Sequence, residues 1–281
     1  MPVLKRKNKP DLYYEIDDFT DPWREAPYLL LQHGNGRSSR FWYRWIPYLS
    51  RFYRIVRPDM RGLGRSSRDF DLETGMTAEE LVADIAAIID ALGVEQVHFC
   101  GESMGGILGL GLAATHPDKV RTLTLVATPV FISDAMKRSY ALEDASRIDA
   151  MRRLGIRAWV DKTNRSTRFP PDSEAGFFDW YADEFAANDA EVQIRMVRLV
   201  NEASAAPFLP KVKAPVLGLY PTAGPITDAE QERMLLAALP QMRMVHLPTR
   251  YHMVHLIEPA ACAELVLNFI AQHDGLPCRE L

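Results

Sequence analysis

The residues best suited to chemistry in this 281-residue chain are Gly101-Glu102-Ser103-Met104-Gly105, a serine flanked at two positions by glycine. Between a strand and a helix, G-x-S-x-G forms a turn so tight that its flanking positions must be small. The turn lifts the Ser103 hydroxyl out at the strand's carboxyl end. The Met104 amide then faces a carbonyl under attack, and the helix dipole favours the developing negative charge. A glycine-rich turn without chemistry is the bland alternative, and the strand–helix setting argues against it. A tetrahedral oxyanion needs a second donor. His33-Gly34-Asn35-Gly36 follows an earlier apolar run, with Asn35 offering its amide and the glycines permitting an unusual backbone. Here the alternative is an ordinary glycine turn. His33 reads as a structural hydrogen-bonding residue.

These segments need elements to hold them. Residues 12–19 alternate like a strand at a sheet edge, and 28–31 form a buried strand that ends in the His33 loop. Residues 53–58 read as a further strand, followed by Asp59-Met60-Arg61-Gly62-Leu63-Gly64-Arg65-Ser66. The clearest helix covers 77–92. Thr77 and Glu80 have capping-box spacing, Gly93 can stop the helix, and Leu81, Val82, Ile85, Ile88, Ile89 and Leu92 share a face. Strand 97–101, helix 104–116 and strand 120–127 come next. Strands alternating with helices argue for a mostly parallel sheet covered on both faces. From 133 to 210 no strand is evident, and the segment is polar-helical with many aromatics. The alternation resumes with strand 214–220, helix 228–239, strand 243–247 and helix 259–272. The economical division is an α/β core over 1–132, an inserted helical cap over 133–210 and the core's second part over 211–281.

Composition limits the function classes. The charge of −4 gives no electrostatic reason to expect nucleic acid or an anionic membrane as partner. The basic N-terminus lacks an apolar h-region, and the apolar run 104–114 is too short to span a bilayer, so no signal or membrane segment is expected. Cys100, Cys262 and Cys278 lie far apart, which suggests neither a disulfide framework nor a zinc site. A cytoplasmic location follows as the expectation.

These pieces together resemble the α/β-hydrolase superfamily, in particular the capped enzymes similar to 3-oxoadipate enol-lactonases and meta-cleavage-product hydrolases. The segments that carry the resemblance are His33-Gly34-Asn35-Gly36, the Asp59–Ser66 stretch, Gly101-Glu102-Ser103-Met104-Gly105-Gly106 and Tyr251-His252-Met253-Val254-His255, in the family's order. The resemblance implies a cofactor-free, metal-free serine hydrolase with Ser103 as nucleophile and the Asn35 and Met104 amides as oxyanion hole. A hydroxyl is a poor nucleophile and needs a neighbouring base, which in this fold comes late in the chain. His252 fits that place better than His255, which by resemblance starts the last helix. Asp59 and Arg61 match a structural turn and read as loop braces rather than substrate contacts. Arg37 and Arg40 could attract an acidic substrate, but surface salt bridges are the preferred reading.

The chain departs from the family at the acid. Tyr220-Pro221-Thr222-Ala223-Gly224-Pro225-Ile226-Thr227 has Gly224 where relatives carry Asp. Asp228 is the nearest carboxylate downstream but sits at a helix start, and Asp134 is a second candidate. Another carboxylate, a water or a Ser–His dyad are the remaining options. The expected reaction is hydrolysis of a small-molecule ester or lactone. Cleavage of a carbon–carbon bond in a dienoic acid is one alternative. A ligand-binding homologue with slow or no turnover, which Gly224 motivates, is the other. Aromatics at 177–181 could line a substrate pocket, though packing inside the cap is the commoner use.

Overall fold

The computed structural model describes residues 2–275; Met1 and 276–281, Cys278 among them, lie outside this range. The chain forms an eight-stranded sheet from β1 (Val3–Leu4), β2 (Leu12–Asp17), β3 (Tyr28–Gln32), β4 (Arg54–Pro58), β5 (Val97–Glu102), β6 (Val120–Val126), β7 (Val216–Pro221) and β8 (Met242–Leu247). Their order is β1-β2-β4-β3-β5-β6-β7-β8. β1 pairs antiparallel with β2, and β2 with β4; the other pairings are parallel. β5 and β7 are buried along their whole length. Both are central parallel strands covered on both faces, so the polar His98 and Glu102 of β5 are buried along with its apolar residues.

Helices cover the faces for reasons visible in their sequence. Ala78–Ala91 starts where the Thr77 side chain accepts the Glu80 amide, and it buries Leu81, Val82, Ile85, Ile88 and Ile89 against the sheet. Met104–Thr115 is buried from Met104 through Ala113. Gly106 and Gly109 let it lie close, because a β-carbon on them would meet Thr128 and Phe99 at 1.9 and 2.4 Å. On the opposite face Pro259–Asp274 buries Cys262, Ala263, Val266, Phe269 and Ile270. Cys100 and Cys262 are both buried in that layer as free thiols.

Five α-helices stand between β6 and β7: Asp134–Ala141, Arg147–Leu154, Ile156–Arg168, Phe177–Ala186 and Ala190–Glu202. Ser133, Ser146 and Asp189 cap three of them through their side chains. Where this insertion leaves and re-enters the sheet layer, Phe131 bridges Ser204, and the Ala205 amide donates to the Val130 carbonyl at 2.7 Å. The insertion has its own apolar cluster, including Trp159, Phe169, Phe177, Phe178, Tyr181 and Phe185, extended by Phe41 and Met253 from the sheet layer. The aromatics at 177–181 are therefore mainly packing residues. Among the described residues no helix is long and apolar enough to cross a membrane.

Candidate active site

Ser103 stands at the junction of β5 and the Met104–Thr115 helix with φ 53° and ψ −117°. A non-glycine residue in this region is strained and persists only where its surroundings hold it. The flanking glycines do the holding. A β-carbon on Gly101 would meet the Gly105 carbonyl oxygen at 2.3 Å, and one on Gly105 would meet the Gln32 and His33 carbonyl oxygens at 2.4 and 2.6 Å. The turn therefore presses against the end of β3, where the His33 loop begins. Met104 is the first residue of its helix, so its amide is one of those a helix leaves without an internal acceptor. Asn35 and Ser103 line one narrow cavity of about 30 Å³ under the inserted helices.

The loops around Ser103 are braced by buried polar side chains. His33 Nε2 accepts the Met60 amide at 3.0 Å, tying the loop after β3 to that after β4. Asp59 accepts the Ser39 and Arg65 amides at 2.6 and 2.8 Å. Arg61 reaches Asp84 at 2.6 Å and Glu80 at 2.8 Å. All three hold loops in place, as their sequence context suggested. Arg40 makes an exposed pair with Glu184, whereas Arg37 corrects the surface expectation. It is buried, and its Nη1 donates to Glu102 Oε2 at 2.7 Å. The positive charge in the loop after β3 is thus matched by the carboxylate of the residue that precedes Ser103.

His252 follows β8 and lies against the same carboxylate, with Nε2 3.3 Å from Glu102 Oε1. The alignment falls short of a hydrogen bond, and neither atom makes another. Among the described residues, Glu102 is the carboxylate in ion-pair contact with this ring. Burial holds His252 down to about 4, with the Arg168 and Arg37 guanidinium groups adding to the effect and Glu102 opposing it. The imidazole is therefore neutral near pH 7, the form a base requires. Burial pushes Glu102 up, but Arg37 and the two imidazoles outweigh this and leave its carboxyl at about 2. His255 is elsewhere, packed on Trp42 with ring centroids 4.8 Å apart, and burial holds it at about 3.

The two expected acids are used for other purposes. Asp228 caps Ala229–Ala238 by accepting the Gln231 amide at 2.9 Å. Asp134 is largely exposed and pairs with Lys137 at 3.4 Å. Sequence reasoning missed Glu102, although it stands inside the very motif singled out, because its contacts are with residues 65 and 150 positions away. It also missed Arg147 and Arg168, which line the Ser103 cavity and carry no local pattern.

With this geometry, comparison with known proteins is direct. Residues 27–259 match the model of the alpha/beta hydrolase fold family, and the chain belongs to that family. It is 28% identical over 272 residues, 94% of this chain and 99% of the relative, to a protein of Agrobacterium fabrum provisionally named carbamate hydrolase RutD. It is 31% identical over 170 residues to a 2-hydroxy-6-oxo-2,4-heptadienoate hydrolase of Pseudomonas putida, covering 57% of this chain and 60% of that one. Among solved structures, the enol-lactonase from Burkholderia xenovorans LB400 superposes with a TM-score of 0.84 at 26% identity, covering 96% of this chain and 100% of that one.

Proposed function

We propose that this chain hydrolyses a small carboxylic ester or lactone through an acyl-enzyme on Ser103. The observation that carries the reading is the strained Ser103 backbone at the end of a fully buried strand, beside a cavity. A fold holds such strain where it serves a reactive group. His252 takes the hydroxyl proton as the serine oxygen bonds to the carbonyl carbon, and the Asn35 and Met104 amides hold the resulting oxyanion. The carbon–oxygen bond to the leaving group breaks, and the leaving oxygen receives the proton from His252. Water then gives a proton to the same ring, and the hydroxide displaces Ser103, which recovers its hydrogen. While the ring is charged, the adjacent Glu102 carboxylate stabilises it, a role relatives give to an acid after the penultimate strand.

The names of the relatives bring two further bonds into the test, a carbamate and the carbon–carbon bond of a dienoic acid. A fluorophosphonate probe should label Ser103 rapidly, not at all in Ser103→Ala, and much more slowly in His252→Ala. Parallel assays on an aryl ester, a lactone, an aryl carbamate and a 2-hydroxy-6-oxo-dienoate then rank the bonds by kcat/KM. Faster turnover of the carbamate or the dienoate replaces the ester reading. An unlabelled Ser103 with no turnover replaces it with the ligand-binding one.

A further inference from the structure

Two arginines in the wall of the Ser103 cavity have no ion-pair partner among the described residues. Arg147 is 4% exposed and Arg168 7% exposed, and both line the cavity with Ser103 and Asn35. Arg147 opens the helix Arg147–Leu154 and Arg168 closes Ile156–Arg168. Their guanidinium carbons lie 5.4 and 5.6 Å from the Tyr140 ring centre, so one tyrosine organises both. Arg168 donates to the Tyr140 hydroxyl at 2.7 Å and to Thr167 Oγ1 at 3.1 Å. That leaves Arg168 Nε, together with Nε and Nη2 of Arg147, buried without a hydrogen-bond acceptor.

The charge balance at this place is not closed within the protein. Arg37, the third arginine of the cavity, is matched by Glu102. His252 is held neutral by its burial. Neither Arg147 nor Arg168 makes an ion pair among the described residues, whereas the exposed Arg153 and the half-buried Arg157 do. Taking a guanidinium out of water without an anion is strongly unfavourable, and leaving its N–H groups unbonded adds to the cost. Burial and the neighbouring Arg168 lower Arg147 to about 10, so it keeps its charge at neutral pH. A fold that tolerates this arrangement gains most when an anion arrives.

We infer that Arg147 and Arg168 form an anion subsite, and that the substrate attacked by Ser103 carries a carboxylate held by them. This names a substrate class for the reaction proposed above and rests on that reading of Ser103. Planar guanidinium groups with N–H donors unused suit a carboxylate. The narrowness of the cavity favours that flat group over a bulkier phosphate. The subsite is also tied to the base, since the Thr167 and Arg168 carbonyls accept the His252 and Met253 amides at 3.0 and 3.4 Å. An anion seated on Arg168 therefore steadies the segment that carries the imidazole.

The test uses the full chain and a matched pair of activated esters, p-nitrophenyl hemisuccinate and p-nitrophenyl butyrate. Losing a charge-assisted hydrogen bond changes binding by about 10- to 100-fold. The wild type should prefer the hemisuccinate by about that factor, and Arg147→Gln and Arg168→Gln should each remove most of the preference. Glutarate should slow fluorophosphonate labelling of Ser103 and raise the melting temperature of the wild type, with both effects lost in the two variants. Arg147→Met should melt at or above the wild-type temperature, because an unmatched buried charge is gone; a large fall would assign Arg147 to the scaffold and overturn the subsite. Equal kcat/KM on both esters, or no glutarate shift, overturns it too. A larger shift with inorganic phosphate than with glutarate overturns the carboxylate assignment. If Ser103 does not label yet glutarate still raises the melting temperature, the serine reading fails and the anion site stands.

Discussion

Glu102→Gln is the substitution that most sharply examines the centre of this site. The carboxylate and Arg37 are 1% and 3% exposed at their side chains and 2.7 Å apart. Removing one member of such a pair leaves the other charge buried without compensation, which costs about 3–5 kcal/mol. Glutamine keeps the shape and can still accept from Arg37, so a loss near the lower end, about 3 kcal/mol, is expected. That corresponds to a fall in melting temperature of roughly 6–12 °C for a chain of this size. The cycle with Arg37→Met separates pairing from shape. The double variant should lose less than the two singles together, by at least about 2 kcal/mol, as expected for residues in contact. Denaturant midpoints at constant m provide the measurement. Catalysis gives a second reading. Glu102 favours protonation of His252 against burial and two guanidinium groups. Without it the ring becomes a weaker base, kcat falls and the acid limb of kcat/KM moves below about 4. A loss under about 1 kcal/mol with unchanged kcat would refute the argument, because the carboxylate would then be neither charge partner to Arg37 nor support for the imidazole.

Acid should weaken the fold before its carboxylates titrate. Burial holds His252 and His255 at about 4 and about 3, below the ordinary 6.5, so the unfolded chain takes up protons first. Stability is then full above pH 6.5 and declines on acidification, by roughly 2 kcal/mol per ring at pH 5. Urea unfolding at pH 7 and pH 5 measures this, and a flat profile would show that the rings are not buried neutral. Separately, Gly105→Ala should lower kcat by about 100-fold. The added methyl would sit 2.4 Å from the Gln32 carbonyl oxygen and push the loop after β3 away from the Ser103 turn. Steady-state kinetics check the rate, and near-ultraviolet dichroism shows whether the fold is intact.

Most of the sheet was legible because its signals are local. The apolar run at 28–31, the capping-box spacing of Thr77 and Glu80 and the G-x-S-x-G turn each report on a few neighbouring residues. The observed elements begin and end within a few positions of those readings, as with Ala78–Ala91 and Val97–Glu102. The charges were less legible. Arg37 looked like a surface cation because the residues around it are polar, yet its partner is 65 positions downstream. Glu102 filled the variable place of a motif whose glycines and serine drew the attention. Arg147 and Arg168 lie on amphipathic helices where an arginine is ordinary. Only the fold shows that these two line the cavity and pair with no acid among the described residues.

The same contacts give His252 a carboxylate neighbour although position 224 is a glycine. An orienting carboxylate must be buried, ionised and fixed beside the ring, and each condition needs a cause. β5 buries Glu102, Arg37 keeps it ionised, and the strand–helix turn fixes its backbone next to Ser103. His252 is held from the other side, where the Thr167 carbonyl accepts its amide at 3.0 Å. Two contacts of different origin thus converge on His252, one from the motif and one from the insertion. Weakening either should disturb the ring more than restoring an aspartate at position 224, where a side chain would first meet Pro221 at 2.7 Å. In this chain the contacts that hold His252 come from the last residue of β5 and from the inserted helices.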